Sequence, residues 1–200
     1  MNKLLQINSS LFASGGQSTQ LADAFVQAYK EKHSDTEVSV LDLAEKPIPH
    51  LDGDRFQALI TAPEERTAQQ AAIVDEADAL LNDVREASAI VLALPMYNFG
   101  VPSVLKAYFD HLARAGESFA YTENGPVGLL EDRPVYIFAA RGGQYKGTPM
   151  DTQTDYVTHF LAFLGLKNVK FVYAEGLNMG DESKEQALGA AHEEIVSLLA

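Results

Sequence analysis

Short apolar runs alternate along this chain with longer segments in which apolar residues recur every three to four positions. Each run is typical of a β-strand, and each longer segment has the period of a helix with one buried face. The runs cover 4–7, 37–43, 89–94, 135–140 and 169–174, and a helical pattern follows each of them. Strict alternation of strand and helix predicts a mostly parallel sheet with helices on both faces.

The composition of the five runs predicts their order in the sheet. The third and fourth runs are apolar throughout, as expected for central strands that helices cover on both sides. The second run contains Ser39 and Asp42, and the fifth contains Lys170, which suits edge strands. We therefore expect an α/β fold with a flavodoxin-like, doubly wound five-stranded parallel sheet in the order 2-1-3-4-5, formed by a single domain over residues 1–200.

Helix ends and long connections give further expectations. Pro102 marks a helix start and Gly116 its end, while Ser183 with Gln186 has the spacing of a capping box. Segments 44–65 and 117–132 are too long for plain connections, so the first is expected to be functional or to hold a short helix. The second contains Asn124-Gly125, which is typical of a hairpin turn. Both are expected to border the site or a subunit contact.

Composition and charge exclude several classes of function. The 200 residues include 28 acidic and 15 basic side chains, a net charge of −13 that disfavours nucleic acid and anionic membranes as partners. There is no cysteine, no apolar run near the ~20 residues of a membrane span, and no signal-peptide pattern. The five histidines lack metal-binding spacing. We expect a cytoplasmic protein without a metal.

The loop at 8–18, NSSLFASGGQS, joins the first strand to the first helix. Hydroxyl groups and glycines before a helix N-terminus favour a phosphate, held here by neutral dipoles because 4–29 contains no Lys or Arg. Ser10 and Ser18 are the candidate hydroxyl donors, and Gly15 and Gly16 permit close approach of the backbone. A flexible turn with a serine cap explains the loop equally well. The loop contains neither G-x-G-x-x-G nor the P-loop motif.

Two further loops follow the third and fourth strands. PMYNFG at 95–100 offers aromatic and thioether contacts for a flat ring, with an amide from Asn98, although these residues also suit a cap on the core. AARGGQYKG at 139–147 contains Gly142-Gly143, whose amides suit a ligand edge or simply a tight turn. One phosphate loop and two ring loops at the same edge of a sheet favour FMN.

Seven motifs spread over nearly the whole chain carry a family resemblance. They are NSS, GQS, PIPHLDG, PMYNF, ARAGESFAYTENGPVGL, RGG and KFVYAEG. With them the sequence resembles the FMN-dependent NADH:quinone oxidoreductases, also known as azoreductases. The resemblance implies that FMN contacts three groups of residues: Ser10, Gly16, Gln17 and Ser18 at the phosphate; Met96, Tyr97, Asn98 and Phe99 along the ring and ribityl chain; and Ala140, Arg141, Gly142 and Gly143 at the far edge of the ring.

The resemblance also implies a ping-pong reaction without a catalytic protein nucleophile. NADH or NADPH reduces the flavin at N5, and a quinone or azo compound then takes the electrons in the same place. It implies a homodimer whose partner chain helps to close each site. Tyr121 and Phe163 are our candidates for aromatic walls of the acceptor pocket, although Phe163 also suits core packing. Family members often have serine at the positions of Gly16 and Ala140, which removes two side-chain donors here.

Two alternatives come from other classes of protein. A flavodoxin-type electron carrier shares the fold, the acidity and FMN, but does not need segments 44–65 and 117–132. A flavin-free hydrolytic or regulatory α/β domain has little support, because there is no G-x-S-x-G motif and no clear carboxylate pair.

Overall fold

The computed structural model describes residues 2–199 and contains seven strands and six α-helices over that range. The predicted domain 1–200 therefore extends to Met1 and Ala200, which lie outside the described residues. The strands are β1 Asn2–Asn8, β2 Thr36–Asp42, β3 Ala89–Pro95, β4 Phe119–Thr122, β5 Gly125–Gly128, β6 Val135–Ala140 and β7 Val169–Ala174. The helices are α1 Gln17–Lys32, α2 Gly53–Ile60, α3 Ala68–Glu86, α4 Ser103–Leu112, α5 Thr152–Leu164 and α6 Asp181–Leu198.

Five strands form one parallel sheet in the order β2-β1-β3-β6-β7. The predicted fourth and fifth strands are β6 and β7, because β4 and β5 pair with each other in a separate antiparallel hairpin. The flavodoxin-like α/β architecture with a five-stranded parallel sheet is confirmed.

The two faces of the sheet bury separate apolar clusters. Alternate strand residues point to opposite faces, so Leu5 and Leu92 join a cluster with α3, α4 and α5, while Leu4 and Val91 join one with α1 and α6. Strands β3 and β6 are buried along their whole length, whereas β2 and β7 are only partly buried. This difference explains why the second and fifth apolar runs tolerate polar residues.

The predicted end of one helix and the predicted cap of another are wrong. Helix α4 ends at Leu112, four residues before Gly116, because the Ser118 hydroxyl donates to the Leu112 carbonyl at 2.5 Å and the chain turns away there. Helix α6 begins at Asp181 without a side-chain cap, and the Ser183 hydroxyl instead donates to the Gly176 carbonyl at 2.9 Å. The predicted capping box at Ser183 and Gln186 is therefore not formed.

The two long segments contain the short helix and the hairpin that were expected of them. Segment 44–65 holds α2, and segment 117–132 forms the β4–β5 hairpin, in which Gly125 has a φ of 106°. The hairpin lies at the amino-terminal edge of the sheet, beside the end of α5. The Leu130 amide donates to the Leu164 carbonyl at 3.0 Å, and a Cβ on Gly128 would lie 2.1 Å from the Gly165 nitrogen. The hairpin thus has a defined position against the core.

Two kinds of feature are missing from residues 2–199. None of their helices is both long and apolar enough to cross a bilayer. Nowhere in this range do three or more His, Cys, Asp or Glu side chains gather in a way that could hold a metal ion.

Candidate flavin site at the carboxyl edge of the sheet

The N-terminus of α1 points its free amides at the loop after β1. Its N-cap is Gly16, no side chain caps it, and no acidic residue lies in its first turn. The Ser18 hydroxyl is fully buried and has no hydrogen-bond partner within residues 2–199. Free amides, a favourable helix dipole and an unpartnered hydroxyl are together suited to an anion such as phosphate.

Ser10 and Gly16 are in unusually close contact in this loop. A Cβ on Gly16 would lie 2.2 Å from the Ser10 hydroxyl oxygen, so only glycine fits there with Ser10 in this position. The Ser10 hydroxyl lies 3.3 Å from the Tyr97 hydroxyl, which also accepts a bond from the Leu11 amide at 3.3 Å. Tyr97 therefore joins the phosphate-type loop to the loop after β3.

The loop after β3 is a tight turn with an unusual backbone. Tyr97 and Gly100 exchange two backbone hydrogen bonds of 3.2 and 3.0 Å. Between them, Asn98 and Phe99 have φ values of 50° and 64°, the left-handed region that glycine prefers. Backbone of this kind costs about 1–3 kcal/mol per residue and persists where its surroundings enforce it, commonly at binding sites. Phe99 remains 46% exposed at this edge.

The third loop presents two glycine amides beside an aromatic ring. Gly142 and Gly143 donate no backbone hydrogen bond within the described chain, and their carbonyls accept from Asn178 and Gly176. A Cβ on Gly143 would lie 2.7 Å from the Tyr145 hydroxyl oxygen, and the Tyr145 ring packs edge-on against Phe99 with centroids 5.7 Å apart. Tyr145 therefore lies at the candidate site, and sequence analysis did not single it out, although it stands two residues after Gly143 in the same loop.

The side chain of Arg141, a residue that the resemblance places near the far edge of the ring, points into the protein. Its guanidinium is fully buried and pairs with Asp151 at 2.9 Å and Glu175 at 3.0 Å. Removal from water opposes ionisation of Asp151, but hydrogen bonds from Arg141 and Thr154 outweigh this, so the pKa of that carboxyl lies below its ordinary value. The Arg141 amide and carbonyl are bonded to Ala174 and Leu177. Arg141 thus supports the loop from inside the protein.

A cleft of about 600 Å³ opens beside the second loop. Its walls come from the first loop, the PIPHLDG segment, the second loop, α4 and α5. The lining residues are Leu11, His50, Tyr97, Asn98, Gly100, Val101, Pro102, Ser103, Lys106, Ala107, Asp110 and Tyr156. The Lys106 ammonium is held by Asp110 at 2.6 Å, so the one lysine of the cleft is paired.

Within one chain, Tyr121 and Phe163 lie away from these loops. Phe163 packs against Phe119 of the hairpin with ring centroids 4.3 Å apart, next to the end of α5 at the amino edge of the sheet. Tyr121 is 76% exposed and lines a second cavity of about 540 Å³ with α2 and the segment after α4. The structure therefore brings together the three loops, but it does not bring these two aromatic residues to them.

The residues at the carboxyl edge fit the phosphate and the ring of FMN. The unpartnered Ser18 hydroxyl and the uncapped helix suit the phosphate. The strained aromatic turn and the two glycine amides suit a planar ring with polar edges.

Comparison with known proteins gives a consistent result. Residues 2–199 match the family model described as flavodoxin-like fold. The chain is 56% identical over 195 residues to the FMN-dependent NADH:quinone oxidoreductase of Cellvibrio japonicus, covering 98% of this chain and 97% of that protein. It is 52% identical over 194 residues to the protein of the same name from Alcanivorax borkumensis, covering 97% and 98%.

Solved structures of azoreductases have the same fold as this chain. An azoreductase from Bacillus anthracis strain Sterne superposes with a TM-score of 0.90 at 33% identity, covering 99% of this chain and 98% of the other. An FMN-dependent NADH-azoreductase of Bacillus anthracis strain Ames Ancestor, solved in complex with FMN, has a TM-score of 0.87 at 27% identity, with 100% of both chains covered. The chain therefore belongs to the flavodoxin-like family of FMN-dependent NADH:quinone oxidoreductases.

Proposed function

We propose that this protein is an FMN-dependent NADH:quinone oxidoreductase that also reductively cleaves azo compounds. The observation that carries the proposal is the Ser18 hydroxyl, buried and unpartnered in the described chain, at an uncapped helix N-terminus beside the strained turn at 97–100. Relatives at 56% and 52% identity carry the name of this activity, and structural neighbours are named azoreductases.

In this proposal each loop binds one part of the flavin. Ser10 and the stretch 16–18 hold the phosphate through amides and hydroxyls, without a basic side chain. The stretch 96–99 lines the ring and ribityl chain, and the amides of Gly142 and Gly143 donate to the far edge of the ring. Ala140 contributes through its carbonyl, which holds the Met96 amide at 3.0 Å, and Arg141 contributes by supporting its loop.

Bound FMN supplies the two-electron chemistry between NADH and the acceptor. The protein contributes a neutral, hydrogen-bonding phosphate site and aromatic surfaces against which a planar donor or acceptor can stack. The cleft beside Tyr97 and Asn98 offers room for such a molecule.

We further propose a homodimer in which Tyr121 and Phe163 of one chain complete the acceptor pocket of the other. Within one chain these two residues lie at the amino edge, away from the three loops. They can therefore form a wall of the site at the carboxyl edge only in a second copy of the chain. The exposed apolar residues Phe56, Ile60 and Tyr121 around the second cavity suit such a contact. Light scattering at micromolar concentration should give twice the chain mass, and a monomer would contradict the proposal.

We infer that each chain of the dimer is one domain over residues 1–200. When the strands of the large sheet are numbered without the hairpin strands β4 and β5, their order is 2-1-3-4-5, and we infer that the domain is doubly wound. The strand order β2-β1-β3-β6-β7 and the helices packed on both faces support this inference.

A visible spectrum of the purified protein, followed by NADH without oxygen and then by a quinone, tests the function. We expect flavin bands that NADH bleaches and the quinone restores. Bands that only dithionite bleaches would favour the flavodoxin-type carrier. Failure to bind added FMN would defeat both assignments.

A further inference from the structure

Gln153 is a fully buried polar side chain at the second residue of α5. Its amide nitrogen donates to the Pro95 carbonyl at 2.9 Å and to the Gly100 carbonyl at 3.1 Å. The Pro95 carbonyl lies just before the turn formed by 97–100, and the Gly100 carbonyl belongs to the last residue of that turn. One side chain thus joins both ends of the turn to the start of a helix.

The preceding residue holds the middle of the same turn. The Thr152 hydroxyl donates to the carbonyl of Phe99, the residue whose φ is 64°. Three carbonyls of the strained loop, those of Pro95, Phe99 and Gly100, therefore accept from two consecutive residues of α5. A backbone that is unfavourable by itself needs such an external restraint.

The start of α5 is itself held from beneath. Asp151 caps the helix by accepting from the Thr154 amide at 3.1 Å, and it pairs with the buried Arg141 guanidinium at 2.9 Å. Arg141 also lies 3.4 Å from the Gln153 side-chain oxygen, which leaves the nitrogen of that amide to face the turn. Glu175 completes the group, because it pairs with Arg141 and accepts from the Tyr145 amide at 3.0 Å.

We propose that Gln153 is a positioning residue that keeps the turn at 97–100 in its strained, flavin-binding shape before FMN arrives. The inference rests on the proposed function, since that function assigns the turn to the flavin ring. Thr152 assists, and the contact of Arg141 with the Gln153 side-chain oxygen orients the Gln153 amide. The turn therefore has its binding shape already in the apoprotein, and the affinity for FMN depends on that shape.

The test is Gln153→Met, which keeps the length of the side chain and removes the amide. In the apoprotein, we expect hydrogen exchange at the Tyr97 and Gly100 amides to rise about tenfold, because two hydrogen bonds that enforce the turn are lost. Exchange in the middle of β3 should stay as in the wild type. The Kd for FMN, measured by quenching of flavin fluorescence, should also rise about tenfold.

Two further variants keep the test decisive. Gln27→Met changes an exposed glutamine on α1 and should match the wild type in both measurements. Thr152→Val removes one hydroxyl donor with little change in shape, and it serves as the test variant if Gln153→Met does not fold. We expect it to raise both the exchange rate at Tyr97 and Gly100 and the Kd for FMN about threefold.

The outcomes separate this inference from the function. Wild-type exchange at Tyr97 and Gly100 in Gln153→Met, or in Thr152→Val where Gln153→Met does not fold, would overturn the positioning role, and so would faster exchange with an unchanged FMN Kd. A wild-type protein that does not bind FMN would instead defeat the proposed function, on which this inference rests.

Discussion

Among single residues, Ser18 connects sequence and ligand most directly. Its buried hydroxyl finds no partner in the described chain, which costs the apoprotein about 1–3 kcal/mol, while a bond to a charged phosphate is worth about 1.5–3 kcal/mol. We expect Ser18→Ala to raise the FMN Kd between tenfold and a hundredfold and to leave the apoprotein as stable as the wild type or more so. Fluorescence titration and thermal unfolding without FMN measure the two effects. The exposed Ser34→Ala is the control, and an unchanged Kd for Ser18→Ala would remove Ser18 from the site.

Gly16 gives a second prediction for a single residue. A methyl group there would collide with Ser10, so Gly16→Ala must displace Ser10 and break its contact with Tyr97. We expect a loss of about 1–3 kcal/mol in the free energy of unfolding, measured with urea. Gly15→Ala is the matched control, since its nearest neighbour is Phe12 at 4.0 Å. Equal effects of the two variants would contradict this account of the loop.

At the scale of elements, the start of α5 depends on the charge of Asp151. Desolvation opposes ionisation, but the bonds from Arg141 and Thr154 hold the folded-state pKa of this carboxyl below its unfolded value. A lowered carboxyl pKa contributes stability above the unfolded value of about 4, and this contribution is lost as pH falls through the folded pKa. We therefore expect Asp151→Asn to have a lower free energy of unfolding than the wild type at pH 7. The difference between the two free energies should become smaller below about pH 4. Urea unfolding at pH 7, 4 and 3 measures it, and a constant difference would exclude the ionised pair as the cause.

At the scale of the whole molecule, the position of Tyr121 relative to the three loops leads to a prediction about the acceptor pocket. The three loops lie at the carboxyl edge, whereas Tyr121 belongs to the hairpin at the amino edge. We expect Tyr121→Ala to raise the KM for quinones about tenfold through loss of a stacking ring. Tyr121→Phe keeps the ring and should resemble the wild type. Unchanged acceptor kinetics in Tyr121→Ala would remove this residue from the pocket.

Much of the scaffold could be predicted because its causes are local. The apolar runs at 89–94 and 135–140 predicted buried central strands, since a strand covered on both faces has no polar side. The hairpin followed from Asn124-Gly125, and Gly125 does adopt the positive φ that favours glycine. The end of α4 and the lack of a side-chain cap on α6 were missed, because Ser118 and Ser183 bond to carbonyls that local sequence does not place nearby.

The sequence by itself determined the alternation of elements, the three loops at one edge of the sheet and the residue types suited to a flavin. Periodicity and turn chemistry act between neighbours in the chain, so they can be seen without a structure. Only the tertiary structure decided that Arg141 faces inward, that Gln153 holds the turn at 97–100, and that Tyr121 lies at the opposite edge. Gln153 is 58 residues from the Pro95 carbonyl it binds, and Arg141 is 34 from Glu175. Contacts at such separations depend on how helices pack on the sheet, which no short pattern specifies.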